Sequence, residues 1–420
     1  MQAPVEIELE KSVIRIEART DTDAFAAMGW AHAQLYAAEL RREQCRVRGC
    51  DEPTLASRLQ LVPAAERRLL RSEPEERRLL DAYARGVNAA DPTLDWQASD
   101  SMALTLLRGL RHATGVRTEL AALGAQDLGV LDLDDVLRDD GLATETAWDE
   151  LRGGLPRVDD LPRWAVTPSA DASAVAVGGR RNASSLPLVG AVIGERQGDP
   201  GLVAVDVSSP GFQVTGLTQP GIPAFWMGRN PTTAWALIPA NADAMDLVVV
   251  GLQGNTYTAF GESFVLAEGD MTSMGPVVAR TEDLGLVLRV AGLGDTDETL
   301  PTLWDMARSD GVVDAVRAFD RPVGSAWHLV AADVEGHIAD AVVGRIVRRR
   351  GVTGRVPHDV RDMDRWQGRL DRLPRLLDPH DMLACTVDSQ SVLSYVAMLR
   401  RGLGRTGAAV MVQAVARGRA

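Results

Sequence analysis

The 420-residue sequence has little of three things: cysteine, lysine and long apolar runs. Its three cysteines, an odd and sparse set, predict neither a disulfide framework nor a metal site of closely spaced thiolates. Lys11 is the single lysine, so arginine supplies nearly all of the positive charge. No apolar run approaches the ~20 residues of a membrane-spanning helix, so we expect no membrane partner.

Acidic residues outnumber basic ones, 58 to 45, and a leader sequence is not recognisable. The formal net charge is −13 at pH 7, which excludes the electrostatic footprint of a nucleic-acid-binding protein. The first residues read MQAPVEIELEK and contain neither a basic segment nor an apolar core of the secretory type. We therefore expect no nucleic-acid partner and a cytoplasmic location.

What the sequence does contain is the composition of an ordinary globular protein, with 45% hydrophobic and 25% charged residues. After a first alternating strand, the pattern over residues 1–152 is mainly helical. Thr20 to Asp23 offer several N-cap candidates for a long helix, and Gly49 is its expected C-cap. Residues 153–172 hold three prolines and predict a connector that stays uncleaved.

Residues 173–420 form the third region and are rich in short alternating runs typical of β-strands. Asp333-Val334-Glu335-Gly336 separates two such runs and predicts a hairpin turn. Helical regions followed by many strands predict the α+β fold class.

The most distinctive stretch lies between Leu217 and Leu247 and reads LTQPGIPAFWMGRNPTTAWALIPANADAMDL. It resembles the centre of the penicillin acylase family, in which a PGxP turn leads into a GxN…AW strand pair. Other segments resemble further landmarks of that family in the same order: residues 23–49, 79–90, 177–190, 325–349 (SAWHLVAADVEGHIADAVVGRIVRR, similar to NWxYADxxGNIGYxxxGxxPxR) and 364–390.

The resemblance covers roughly residues 5–390, and it is the order of these weak motifs that makes it specific. It implies an αββα sandwich of the N-terminal nucleophile hydrolase type with a helical N-terminal region. On this basis residues 1–152 resemble the acylase α-chain, and residues 173–420 resemble the front half of the β-chain. The family cleaves amides with a serine that becomes the first residue of a chain after self-cleavage.

The nucleophile position is weakly matched. The family begins its β-chain with Ser-Asn-x-Trp, because the serine's own α-amine then acts as the base. A gapless alignment places Ala172 at that position, and removal of one residue places Ser173 there, followed by Ala174 and Val175. Ser173 is therefore the candidate nucleophile, and the alternative is that it simply begins a strand.

The oxyanion hole is matched still less well. One family donor is a backbone N–H four residues after the Trp of the GxN…AW motif, which here is Pro239, and proline has no N–H. The second donor is an Asn side chain, and its position is taken by Val387. The family's orienting His or Gln falls near Gly194. We therefore expect that classical amide hydrolysis is lost.

Some polar groups remain near these positions. Asp243 and Asp246 match a DxxD pair that contributes to a structural calcium site in family members, although such a pair also occurs in solvated turns. Asp388 and His328 are candidate general bases if they lie in the former pocket, and ordinary hydrogen-bonding groups otherwise. No other cofactor is expected.

Family members continue for several hundred residues beyond the segment that residues 384–388 resemble, and those residues complete the central sandwich. A sheet without them would expose unpaired edges. We therefore expect a second polypeptide that completes the core sheet, in addition to a small-molecule substrate.

Three functions compete at this point. The first is a repurposed enzyme component in secondary-metabolite biosynthesis, which promotes a non-hydrolytic reaction such as ring closure by an internal amine. In general organisation it resembles the two-part acylase-like proteins of azinomycin-type aziridine formation. The second is a non-catalytic binding or scaffold subunit of an active partner. The third is a surviving amide hydrolase that uses Ser173.

Overall fold

A computed structural model describes residues 5–10, 13–50, 59–112, 172–179, 186–193, 201–240, 245–259, 262–267, 270–290, 296–345 and 384–385. Its helices are α1 (Asp21–Arg48), α2 (Leu61–Leu69), α3 (Pro74–Ala90), α4 (Ala98–His112), α5 (Thr299–Ala307) and α6 (Val312–Arg317), with short 3-10 segments at Pro92–Leu94 and Ala318–Asp320. Helices and mainly antiparallel sheets occur together, as expected for the α+β class.

The strands form three sheets within the described residues. They are β1 (Val5–Glu10), β2 (Val13–Ala18), β3 (Ala172–Val177), β4 (Leu188–Ile193), β5 (Val203–Ser208), β6 (Gln213–Gln219), β7 (Ile222–Arg229), β8 (Thr233–Pro239), β9 (Met245–Gln253), β10 (Thr256–Ala259), β11 (Glu262–Val265), β12 (Met271–Thr272), β13 (Gly275–Arg280), β14 (Leu284–Val290), β15 (Trp327–Asp333), β16 (Ile338–Val343) and β17 (Ala384–Cys385).

The large sheet has the strand order β1-β2-β5-β6-β7-β8-β15-β16, and its pairs are antiparallel except for β2 with β5. A six-stranded sheet has the order β11-β10-β9-β14-β13-β12, and a small sheet has the order β17-β3-β4. The N-terminal region thus contributes two strands to the large sheet as well as α1 to α4.

The large sheet is covered on both faces. One face packs against the helices, and its buried residues include Trp226, Trp235 and Trp327. The other face packs against the small sheet through Ala174 and Ala176 of β3 and apolar residues of β6, β7, β8, β15 and β16. The described layers are therefore helices, large sheet and small sheet, and the space between the two sheets is an apolar core.

Helix α1 begins and ends where the sequence predicts. The side chain of Thr20 accepts a hydrogen bond from the backbone N–H of Asp23 at 3.1 Å, which is an N-cap. Gly49 is the C-cap, with φ of 75°, a left-handed conformation that favours glycine. Both expectations are confirmed.

The cysteines depart from the expectation. Cys45, in the last turn of α1, forms a disulfide with Cys50, although the sequence count predicted no disulfide framework. The pairing was missed because the two residues are close only once the helix ends at Gly49. Disulfides persist mainly in oxidising compartments, so this pair does not support the cytoplasmic expectation.

Helices α1 and α3 cross at two glycines. A Cβ atom on Gly29 would collide with the carbonyl oxygen of Tyr83, and one on Gly86 would collide with the carbonyl oxygen of Ala26. The backbones therefore approach more closely than any other residue would allow. This contact fixes the helical layer on which the large sheet packs.

We predict that Gly86→Ala destabilises the protein. The added methyl group meets backbone and forces the helices apart at a cost of about 1–3 kcal/mol, more than the roughly 0.5–1 kcal/mol gained from helix propensity. Urea unfolding followed by tryptophan fluorescence measures this change. Gly201→Ala is the matched control because nothing lies within 4 Å of its Cβ position, and equal midpoints for the two variants would contradict the close crossing.

A buried polar group joins these helices to the PGxP turn. His32 of α1 contacts the Tyr83 hydroxyl through Nδ1 at 2.8 Å and the Thr218 hydroxyl through Nε2 at 3.1 Å. The Tyr83 hydroxyl also accepts the backbone N–H of Gly221 at 2.9 Å. Gly221 has φ of 94°, which the turn requires. Burial lowers the pKa of His32 to about 3.

We predict that His32 makes stability fall as the pH drops below 6.5. In that range the unfolded chain binds a proton at this histidine and the native chain does not, because the native pKa is depressed from 6.5 to about 3. The unfolded state therefore binds more protons, and the slope reaches about 1.4 kcal/mol per pH unit. Free energies of unfolding measured between pH 4 and 7 should vary less steeply in His32→Gln. Parallel curves for the two proteins would refute the assignment.

Candidate functional site

The contacts at the C-terminal end of β3 indicate the direction in which this strand runs. A Cβ on Gly178, just after β3, would lie 2.6 Å from the Cα of Gly336, in the turn between β15 and β16. That turn joins Ala332 to Ile338, as predicted for residues 333–336. Ala174 and Ala176 of β3 share a buried cluster with Val330 and Ala332 of β15, so β3 lies over β15 and runs in the same direction. Its first residues therefore lie toward the end of the sandwich where β15 begins.

Ser173 lies at that end. It is the second residue of β3 and pairs with Val192 of β4. From Gly178 back to Ser173 the chain spans about 16 Å at roughly 3.3 Å per residue. The same distance along β15 leads from Asp333 back to His328. The strand directions thus bring Ser173 and His328 to one end of the two sheets.

Pro239 belongs to the same end. It is the last residue of β8, is buried, and pairs in register with Trp327, the first residue of β15. Its nitrogen carries no hydrogen, so this backbone position offers no donor to a developing oxyanion. The expectation that Pro239 lies near the reaction centre is compatible with this placement.

His328 lies on the face of β15 that packs toward the small sheet. Its register partner on β8 is Ile238, which is buried between the sheets, and Val330 and Ala332 follow it on the same face. His328 is hydrogen-bonded through Nε2 to Oδ1 of Asp340 on β16, with side-chain exposures of 14% and 18%. A hydrogen-bonded, mostly buried His–Asp pair therefore joins β15 and β16 on the small-sheet side.

Asp340 was not among the sequence candidates. In the segment over residues 325–349, His328 occupies the Asn position and Asp340 the Tyr position of NWxYADxxGNIGY, when the alignment is fixed on Ala332-Asp333. His replaces Asn and Asp replaces Tyr, so at both positions a side chain that can be charged near neutral pH replaces one that is uncharged there. The sequence signal was a carboxylate within an otherwise apolar strand, GHIADAVVG.

The helical side of the same end is lined by aromatic rings. The rings of Trp327 and Trp226 are 5.0 Å apart, and the guanidinium of Arg108 lies 4.6 Å from the Trp226 ring. Arg108 also donates to Oε1 of Gln219 at 2.6 Å. These contacts pack against the beginning of β15 on the helical side of the large sheet. The opposite face of β15 packs toward the small sheet.

The Asn of the GxN…AW pattern has a structural role. Asn230 donates to the carbonyl oxygens of Ala307 and Ser309 at 3.0 and 2.8 Å. Its Oδ1 accepts the backbone N–H groups of Thr232 and Thr233 at 2.9 and 2.7 Å. The motif therefore fixes the β7–β8 turn against α5, and it carries no chemistry itself.

The remaining candidates are only partly described. Asp388, Val387, Gly194 and Asp243 lie outside the described residues. Asp246 is in β9, where its register partner is Arg289 of β14. In the part of the chain that the structure describes, no three His, Cys, Asp or Glu side chains are grouped to hold a metal ion. Calcium binding by Asp243 and Asp246 stays a prediction.

None of the described helices combines the length and the apolar character that a bilayer span requires.

Curated relatives match most of this chain. Acyl-homoserine lactone acylase QuiP of Pseudomonas putida is 26% identical over 421 residues, which cover 85% of this chain and 50% of the relative. The proteins of that name from Pseudomonas fluorescens and Pseudomonas aeruginosa are 25% and 24% identical, with the same 85% coverage of this chain. The chain spans about half the length of these relatives.

Among solved structures, a penicillin G acylase from Alcaligenes faecalis matches with a TM-score of 0.34 and 14% identity, over 41% of this chain and 35% of that chain. That overlap is too small to support an argument about the fold. The sequence profile of the penicillin amidase family matches residues 4–403. The match extends over nearly the whole chain, and this protein therefore belongs to the penicillin amidase family, within the N-terminal nucleophile hydrolase superfamily.

Proposed function

We propose that this chain is a penicillin-amidase-family protein that no longer hydrolyses amides and instead promotes a non-hydrolytic reaction of a small amine-bearing substrate. Intramolecular ring closure in secondary-metabolite (antibiotic) biosynthesis, of the kind that forms an aziridine, is the reaction class that fits best. The product then carries a new C–N bond where the substrate carried a leaving group.

Pro239 is the observation that supports this proposal most directly. Acyl transfer passes through a tetrahedral oxyanion, and each preorganised donor typically contributes a factor of about 10²–10³ to turnover. The buried proline at the end of β8 lies at the Ser173 end of the sandwich and brings no N–H. The resemblance assigns the second donor position to Val387, whose side chain cannot donate, so the proposal takes both oxyanion donors as lost.

Ring closure does not need that stabilisation. An internal amine gives up a proton to a base, its nitrogen forms a bond to the carbon that bears the leaving group, and the leaving group departs with the electron pair. Such a reaction needs orientation of the two reacting atoms, which alone is worth up to several kcal/mol, and one base. In this proposal His328, whose side chain is 14% exposed, is that base.

The proposal includes a second polypeptide that extends the small sheet. Among the described strands, β4 has a neighbour on one side only, and strand edges of this kind readily pair with further strands. The cytoplasmic location stays a prediction, and the Cys45–Cys50 pairing weighs against it.

A second candidate is amide hydrolysis through Ser173. Two observations favour it: the curated relatives are named acyl-homoserine lactone acylases, and Ser173 lies at the beginning of β3, where a nucleophile freed by cleavage would stand. An N-acyl homoserine lactone is then the substrate class to test.

We predict that the purified chain keeps its mass of 45.1 kDa, as Ser173→Ala does, because the resemblance assigns the self-cleavage positions to residues that cannot perform that reaction. Intact-mass spectrometry measures this, and both proteins should leave an N-acyl homoserine lactone unchanged. A new chain that begins at Ser173 in the wild type but not in the variant, together with release of the free lactone, would establish the hydrolase instead.

A further inference from the structure

We propose that Asp340 and His328 act together as the base of this site, with His328 as the catalytic residue and Asp340 as its positioning residue. The inference rests on the proposed function, because it assigns the proton acceptor of that reaction. The ligand that it implies is a small molecule with a removable proton, such as a protonated-amine precursor or a weak carbon acid.

The register of β15 gives the first argument. Trp327 and Leu329 are buried among residues on the helical side of the large sheet, so His328 between them faces the other way, toward the small sheet. Its side chain is 14% exposed and therefore not sealed in the core. The imidazole therefore lies on the small-sheet side of β15 and is hydrogen-bonded to the neighbouring strand β16.

The hydrogen bond to Asp340 gives the second argument. A carboxylate that accepts from Nε2 of a neutral imidazole keeps the ring hydrogen on Nε2, so the lone pair is on Nδ1. When Nδ1 takes a proton, the same carboxylate stabilises the imidazolium that forms. The pair therefore fixes both the tautomer and the direction in which the base acts.

A second His–Asp pair in the same hairpin shows the contrast. His337 contacts Oδ2 of Asp333 at 3.0 Å, and its side chain is 45% exposed. Asp333 also accepts the backbone N–H groups of His337 and Val312, which makes it a cap for the turn and for α6. That pair lies at the far end of β15 from Ser173 and serves the fold.

The chemical step is a proton transfer. A substrate amine or carbon acid gives its proton to Nδ1 of His328, and the electron pair left on the substrate forms the new bond or expels the leaving group. The imidazolium returns the proton to solvent after the product leaves. No oxidant, metal or acyl-enzyme enters the balance.

A chromogenic carbon acid, 5-nitrobenzisoxazole, tests the assignment with a defined probe. Removal of its ring proton breaks the N–O bond and releases a coloured cyanophenolate, so only a positioned base is required. Every sample carries Ser173→Ala, so the outcome does not depend on whether Ser173 hydrolyses amides. The protein with this change alone is the parent. The variants are His328→Gln, Asp340→Asn and Asp340→Glu, with His337→Gln as the control.

We predict that His328→Gln lowers kcat for this probe about 10²-fold or more, the usual contribution of a general base. Asp340→Asn should lower kcat at least about 10-fold with KM nearly unchanged, because the amide donates to Nε2 and leaves the hydrogen on Nδ1. Asp340→Glu should restore part of the rate, and His337→Gln should keep the parent rate. Nitrogen-15 NMR of the His328 ring should show the hydrogen on Nε2 in the parent and on Nδ1 in Asp340→Asn.

Turnover no faster than in buffer, or equal turnover in the parent and in His328→Gln, overturns the proposal. So does an unchanged His328 tautomer in a folded Asp340→Asn protein. If Asp340→Asn fails to fold by circular dichroism, the His328→Gln rate and the parent NMR spectrum decide. Cleavage at Ser173 in the wild type would refute the proposed function alone and leave this result standing.

Discussion

The pairing of β8 with β15 is the constraint on which the candidate site depends. It places Pro239 opposite Trp327 and Ile238 opposite His328, and it continues without a bulge to Thr233 and Asp333. A slip of one residue would exchange the two faces of β15, so Trp327 would enter the space between the sheets and His328 the helical layer. Burying one tryptophan correctly stabilises the sheet by a few kcal/mol, and the position of the imidazole follows from it.

Much of this architecture could be predicted from the sequence, because the signals are local. The caps of α1 and the turn at residues 333–336 depend on a few neighbouring side chains and on backbone conformation. The order of the family motifs then predicted a sandwich of two sheets. The disulfide was missed, since a count of cysteines does not show that a helix ends between Cys45 and Cys50.

The site was harder to predict, because its members are paired across strands. His328 was a candidate from its position, but its partner Asp340 is on the next strand and outside any motif that signals chemistry. Asp340, at the Tyr position of the family motif, is recognisable as the partner of His328 only when the register of the β15–β16 hairpin is known. Pro239 is a candidate from a count along one strand, and its role at an oxyanion position stays a prediction.

The GxN…AW motif that this chain shares with the family stabilises the scaffold. Asn230 and the Trp235 indole, which donates to the carbonyl oxygen of Phe225 at 3.3 Å, both stabilise the turn and strand pair that carry Pro239. These contacts fix the backbone of β8 whether or not its last residue carries an N–H. The ionisable pair at His328 and Asp340 stands on the strands next to that replacement. Under the proposed function, a proline without an N–H and a nearby base are compatible with proton abstraction, because that reaction develops no oxyanion that β8 would have to stabilise.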